Sequence, residues 1–242
     1  METAAIYKAA VFEYNDRNKQ CKLREEFSYI CFCVENGYTD LRKKIISNIK
    51  QGEDDMDSRA FLDFLKVAEK LKCNTRHSYT SSGRCESVAE HSWRLAVMAY
   101  FVQDEFPEAD IDKVIQMCIF HDMGEAITGD IPAFDKTSAD SDHEAHVMDK
   151  LLDTLPEPYR RDLKELFAEM EALETLEAKI YKALDKLEAL IQHNEADLST
   201  WIPLEYDLQM TYGNKECSFS EYMKELRDTV REDSKKKVRQ EK

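Results

Sequence analysis

The sequence predicts an all-α protein, and three observations carry that expectation. Only 6 Gly and 5 Pro are spread over 242 residues, too few for the many tight turns of a sheet protein. Helix formers such as Glu, Lys, Leu and Ala occur throughout. Apolar residues recur at three- and four-residue spacing through long stretches, "ESVAEHSWRLAVMAY" at 86–100 among them. With 43% hydrophobic residues the chain is not of a disordered type, and its length suffices for one large domain or for a smaller one with an extension.

Residues 1–57 read as short helices with turn signals at "YNDRN" and "ENGYTD", forming an N-terminal helical extension of unassigned role. The polar break "QGEDDMDS" separates it from a main domain over 58–242. Ser58 is placed as the cap of a helix over 58–72, and "CNTRHSYTSSGRC" is read as a polar loop because Ser, Thr and Gly punctuate it. A long helix is expected from 87 to 105, ended by "FPEAD", and the next from 110 to 122. "TGDIPAFDKTSAD" is loop; helices follow near 140–155, 157–171, 174–196, 203–211 and 218–235. No internal repeat or low-complexity linker interrupts them.

A net charge of −15 repels nucleic-acid backbones and anionic membrane faces, so neither partner is expected. Any phosphate-bearing substrate has to be met by a local cluster of cations or by a metal. No apolar run approaches the roughly 20 residues that span a bilayer, and the first residues lack a basic-then-apolar signal segment, so the expected location is cytoplasmic. Seven cysteines, at 21, 31, 33, 73, 85, 118 and 217, are odd in number and form no C-x-x-C framework, as buried or half-buried free thiols do. The lysine-rich end "SKKKVRQEK" reads as a solvated helix terminus.

Chemistry enters where polar residues interrupt apolar stripes. At about 100° per residue, Val88, His91, Leu95, Met98, Ala99 and Val102 share one helical face, which points His91 into the core. Ile111, Val114, Ile115, Cys118 and Asp122 share another, with His121 at its edge. A buried carboxylate costs several kcal/mol unless a cation or donors receive it. Two histidines converging on it make a metal the economical partner; spacing alone leaves open a hydrogen-bonded His–Asp pair. Glu125 and Asp130 follow within eight residues of the doublet, in a segment whose glycines and proline let side chains turn back over a site. Asp185 sits in "KALDKLEALIQHN", opposite the main stripe Leu176, Ile180, Leu184, Leu187 and Ile191, among Ala178, Ala189 and Gln192. That helix reads as buried on both faces, though Asp185 taken by itself reads as solvent-facing.

The series His91, His121–Asp122 and Asp185 resembles the HD-domain metal phosphohydrolases, and the stretches "ESVAEHSWRLAVMA", "HDMGEAITGDIP" and "KALDKLEALIQ" resemble the subgroup containing the 5′-deoxynucleotidases. The resemblance covers about 60–200. It implies a helical fold in which these four side chains hold one divalent ion, and two imidazoles with two carboxylates suit Mn, Co, Fe, Zn or Mg without choosing among them. It further implies hydrolysis of a small phosphate ester such as a nucleoside 5′-monophosphate, and a homodimer. Arg76 matches the family's phosphate-binding arginine, Glu125 the acidic residue near the attacking water, and Asp130 a second acidic residue by the substrate. Lys182, one turn before Asp185, is a further candidate for phosphate binding. The pattern departs at His77, where the deoxynucleotidases carry a tryptophan packed on the sugar, so weak discrimination between ribose and deoxyribose is expected.

His143 and His146 are candidates for a second metal, as in dinuclear HD phosphodiesterases, but "SDHEAHVMDKLL" has an acidic, solvent-type face. His193, two turns past Asp185, reads as a structural or rim residue. Other readings are an HD-type phosphodiesterase, a guanosine-tetraphosphate-type hydrolase, and a non-catalytic module in which a metal staples helices. An inert descendant is expected to have lost a ligand, the arginine or Glu125, and this chain keeps all of them.

Overall fold

The computed structural model describes residues 56–240, and the expected extension over 1–57 lies outside them except for its last two residues. Among the described residues the regular elements are helices apart from one two-stranded hairpin. The elements run α1 (Ser58–Glu69), β1 (Thr75–Tyr79), β2 (Cys85–Ser87), α2 (Val88–Phe101), α3 (Ile111–Phe120), α4 (Glu125–Thr128), α5 (Ser138–Leu152), α6 (Tyr159–Ala172), α7 (Leu176–Glu195), α8 (Pro203–Thr211) and α9 (Glu221–Gln240), with short 3₁₀ turns between some of them.

Two apolar clusters hold these elements together. One joins Leu95 and Ala99 of α2, Val114 and Met117 of α3, Leu184 and Leu187 of α7, and Met223 of α9. The other packs Val88 with Leu71, Met123, Met148 and Leu152 beneath α1, α4 and α5. Helix α7 is central because it is apolar on one side and small or polar on the other: Ile180, Leu184 and Leu187 are buried, and so are Ala178, Asp185, Glu188 and Gln192. Asp185 is therefore buried, and its solvent-facing reading is corrected by a second layer of packing on its side of the helix.

Helix ends follow capping chemistry. Ser87 accepts from the Glu90 N–H while Glu90 reaches back to the Ser87 N–H, a reciprocal capping box that starts α2. The cap of α1 is Asp57 and not Ser58: its carboxylate accepts from the N–H groups of Arg59 at 2.7 Å and Ala60 at 2.8 Å, where a negative charge also complements the helix dipole. Helix α2 ends at Phe101 before a 3₁₀ turn, and α3 ends at Phe120, leaving His121 as C-cap and Asp122 in the following turn.

The segment read as a polar loop is a β-hairpin, with Thr75 opposite Ser87 and Tyr79 opposite Cys85. Its turn closes through the Thr80 N–H to the Arg84 carbonyl at 2.8 Å, with Gly83 at φ +83°, where a glycine has no steric penalty. Gln192 donates from Nε2 to the Tyr79 carbonyl at 2.7 Å, which ties the hairpin to α7. Of the described cysteines all are free; Cys118 and Cys217 are buried and Cys85 half-buried, whereas Cys73 is exposed, against expectation, just after the turn that ends α1. Among the described residues no helix is long and apolar enough to cross a membrane.

Candidate active site

Three parts of the chain meet at the floor of a cavity of about 560 Å³. His91 comes from α2 and is fully buried; His121 and Asp122 come from the turn after α3; Asp185 comes from α7. His91 Nε2 lies 3.5 Å from Asp185 Oδ1 and 3.9 Å from Asp122 Oδ2, and His121 Nε2 lies 3.0 Å from Asp122 Oδ2. The structure thus brings together the four residues singled out by the sequence.

What holds each ring decides its chemistry. His121 Nδ1 donates to the Cys118 carbonyl at 2.9 Å, and His91 Nδ1 meets the carboxylate of Glu188, itself fully buried on α7. Both contacts place the proton on Nδ1 and leave Nε2 as the free nitrogen, and neither Nε2 has a hydrogen-bond partner among the described residues. Bare nitrogen lone pairs converging with carboxylate oxygens repel one another unless a proton or cation lies between them. The donor set therefore fits a divalent ion, with Glu188 orienting a ligand histidine from behind.

The charges around this cluster are graded. Burial pushes the Asp122 carboxyl up, but His121, His91 and Arg76 together hold it well below the usual carboxylate range. Asp185 is likewise held far down against burial, by Lys186 and Lys182, whose ammonium groups stand 3.1 and 3.0 Å from its Oδ2. Burial and Arg76 oppose protonation of His91, yet Glu188 and Asp185 lift it to about 9 when no cation is present. A cation at this position competes with that proton.

Arg76 reaches in from β1, with Nη1 3.7 Å from Asp122 Oδ2 and Nε 3.4 Å from Glu86, a buried glutamate behind it. Glu125 opens α4, is nearly fully buried, and leaves Oε2 without a partner, while Asn74 donates to its backbone carbonyl. Burial first, then Asp122 and Asp130, raise its carboxyl to about 9. Asp130 is also raised, mainly by burial. Gly129, at φ +81°, makes the turn that folds Asp130 back to the cavity. Gly124 permits the close approach of α5: an added Cβ would stand 2.7 Å from Glu144 Cγ.

Lys182 lines the cavity with Lys186, so its candidate role survives beside its pairing with Asp185. His77 also lines it, next to Phe134 and His193. His143 and His146 are exposed on α5 and line no part of this cavity, whereas Ser141, Glu144 and Met148 of the same helix do. The sequence reading missed Glu188, Lys186 and Glu205. Glu188 follows Asp185 by three residues on one face, which is the only signal it offered.

A histidine–aspartate cluster buried in a helical bundle, opening on a cavity rimmed by Arg76, Lys136, Lys182 and Lys186, defines an all-α protein built around a divalent-metal site for anionic ligands. The model of the HD domain matches residues 68–227, and the chain belongs to that family. It is 35% identical to the human 5′-deoxynucleotidase HDDC2 over 142 residues, 57% of this chain and 69% of that one. It is 30% identical to the Dictyostelium discoideum 5′-deoxynucleotidase HDDC2 over 145 residues, 56% of this chain and 76% of the other. Among solved structures, a protein of Magnetospirillum magnetotacticum called a predicted metal-dependent phosphohydrolase superposes with a TM-score of 0.62 at 25% identity, covering 74% of this chain and 96% of that one.

Proposed function

We propose that the chain is a metal-dependent phosphomonoesterase that releases phosphate from nucleoside 5′-monophosphates. The observation that carries this reading is the pair of unpartnered Nε2 atoms of His91, buried behind the lining, and of His121, close to Asp122 and Asp185 in the floor of a cavity lined with cations. The names of the relatives supply the substrate class.

His91, His121, Asp122 and Asp185 would hold one divalent ion, of the Mn, Co, Fe, Zn or Mg group. Such an ion lowers the pKa of a water and offsets phosphate charge. The chain's own residues do the rest. Arg76 offers a planar fork to the phosphate oxygens, held from behind by Glu86, and Lys182 and Lys186 add positive charge. Burial and neighbouring negative charge make the Glu125 carboxylate a stronger base than an exposed one, and a cation held beside it would favour its ionised form, in which it accepts the proton of the attacking water. The bond from phosphorus to the 5′-oxygen breaks, and the proton gained by Glu125 serves that leaving oxygen. Asp130 lies beside the substrate and helps to orient the water.

A homodimer and a cytoplasmic location complete the proposal. The exposed side chains of Trp93, Tyr100 and Phe101 on α2 are of the kind a subunit interface covers, and light scattering on the purified chain tests the pairing. The activity is tested by measuring phosphate release from nucleoside monophosphates, sugar phosphates and cyclic nucleotides with chelator-stripped protein resupplied with Mn, Co, Mg or Zn. Release from monophosphates is expected, with kcat/KM for matched ribo and deoxy substrates within about tenfold. Turnover of phosphodiesters alone would favour the phosphodiesterase reading.

A further inference from the structure

At the far end of the same cavity from Asp185 lies a polar cluster that the metal site does not use. Glu205, on α8, is 3% exposed, and its Oε1 stands between two imidazoles: 3.1 Å from His77 Nε2 and 3.3 Å from His193 Nε2. Its other oxygen, Oε2, accepts from the Ile202 N–H at 2.7 Å and caps α8. His193 Nε2 is also 3.4 Å from Ser78 Oγ, and burial keeps that imidazole toward its neutral form. The cluster is rigidly backed. Trp201 donates from Nε1 to the His193 carbonyl at 3.0 Å, and the buried Arg227 of α9 donates to the carbonyls of Tyr212 and Gln209 at the end of α8.

A carboxylate has no proton to give, so the nitrogens facing it carry theirs. The approach of His77 to Glu205 is not aligned as a hydrogen bond, and the negative charge selects the tautomer without one. His77 thus holds its proton on Nε2 and keeps a bare lone pair on Nδ1. That atom has no protein partner among the described residues and is not among the buried ones, so it is accessible from the cavity. Phe134 stands edge-on to the ring with centroids 5.6 Å apart and closes the other side.

We infer that His77, positioned by Glu205, is a hydrogen-bond acceptor for a sugar hydroxyl of the substrate. The inference rests on the phosphomonoesterase reading for the placement of the phosphate: His77 follows Arg76 in β1 and lines the same cavity, as the sugar follows the phosphate in a 5′-nucleotide. Glu205 touches no substrate and acts through the imidazole. His193, against the same carboxylate oxygen, fixes where that oxygen lies.

A hydroxyl donates to Nδ1, a hydrogen cannot, and a fluorine presents a lone pair to a lone pair. The test compares nucleoside 5′-monophosphates carrying OH, H or F at the 2′ or the 3′ position, by kcat/KM and by calorimetric Kd on metal-loaded protein. The expected order at one of the two positions is OH over H by about three- to tenfold, with F no better than H. In Glu205→Gln the amide keeps the cap through its oxygen and turns an N–H toward His77, which moves the imidazole proton to Nδ1 and makes it a donor; F should then equal or exceed H. Ratios within one variant cancel any general loss of folded or loaded protein, and the wild-type order stands as a test if the variant does not fold. Equal handling of OH, H and F at both positions by the wild type overturns the inference, as does an unchanged order in Glu205→Gln. Absence of phosphate release with the expected Kd order intact would overturn the phosphomonoesterase reading and leave the acceptor assignment standing.

Discussion

Replacing Glu188 by Ala tests the argument that ligand orientation at the metal centre is set from behind. The substitution removes the carboxylate against Nδ1 of an imidazole that is 0% exposed, together with the charge 3.8 Å from Arg94 Nε. Loss of such an outer partner weakens metal binding by about 10- to 100-fold, or roughly 1.4–2.7 kcal/mol. A second effect opposes it. Glu188 helps to raise His91 to about 9, so below that pH an incoming cation must displace a proton from the wild-type ring, and the variant's ring, of lower pKa, gives it up more easily. The two effects separate with pH: the affinity gap between wild type and variant should widen from about pH 7 to about pH 9, where proton competition fades. The assay is calorimetric titration of Mn into chelator-stripped protein at the two pH values. Glu188→Gln, which keeps an acceptor but not the charge, should fall between the two. Stripped Glu188→Ala should also melt lower, since an unsatisfied buried partner costs about 1–3 kcal/mol. Equal Mn affinity of wild type and Glu188→Ala at both pH values would refute the reasoning.

Asp122→Ala should lose its metal on elemental analysis, while His143→Ala and His146→Ala, exposed on α5, keep theirs. Arg76→Ala should raise KM more than it lowers kcat, with a loss in kcat/KM of about 10- to 100-fold, as expected for a charge-assisted phosphate contact of roughly 1.5–3 kcal/mol. Glu125 supplies a pH signature in metal-free protein. Its folded pKa, about 9, lies above its unfolded value, so its contribution to stability is fully present below the unfolded pKa and is lost as pH rises toward 9. Denaturant titrations of stripped Glu125→Gln should therefore lack part of the wild-type decline across that window; parallel wild-type and variant curves would show that the carboxyl ionises freely.

The helices were legible because most of the chain buries an apolar stripe at helical spacing, and His91 and Asp122 stood out as polar residues on such stripes. Asp185 was harder, because its face of α7 is packed with alanines and polar groups that look like solvent exposure one residue at a time. The hairpin gave no period-two apolar signal: "TRHSY" turns Arg76, His77 and Ser78 toward the cavity and "CES" buries Glu86 and Ser87 behind them, so the usual strand pattern is replaced by chemistry. Glu188 and Glu205 escaped for a related reason. Each is a buried acid whose partner lies 97 and 128 positions away in sequence, respectively, and only the folded chain pairs them with His91 and His77.

Helix α7 lays out the cavity like graduations on a ruler. On the proposed reading Asp185 marks the metal end, Glu188 backs a ligand one turn on, and His193 stands beside the Glu205 cluster, about 12 Å from Asp185 along the axis at 1.5 Å per residue. A residue inserted or deleted between these marks would turn everything beyond it by about 100° and carry one end of the site out of register with the other. With one substrate spanning the two proposed ends, its length would be set by a continuous helix that cannot be lengthened in small steps. Changes in the group recognised beyond the phosphate have their freedom in the hairpin and α8, which meet that ruler from outside and can be altered without resetting the metal.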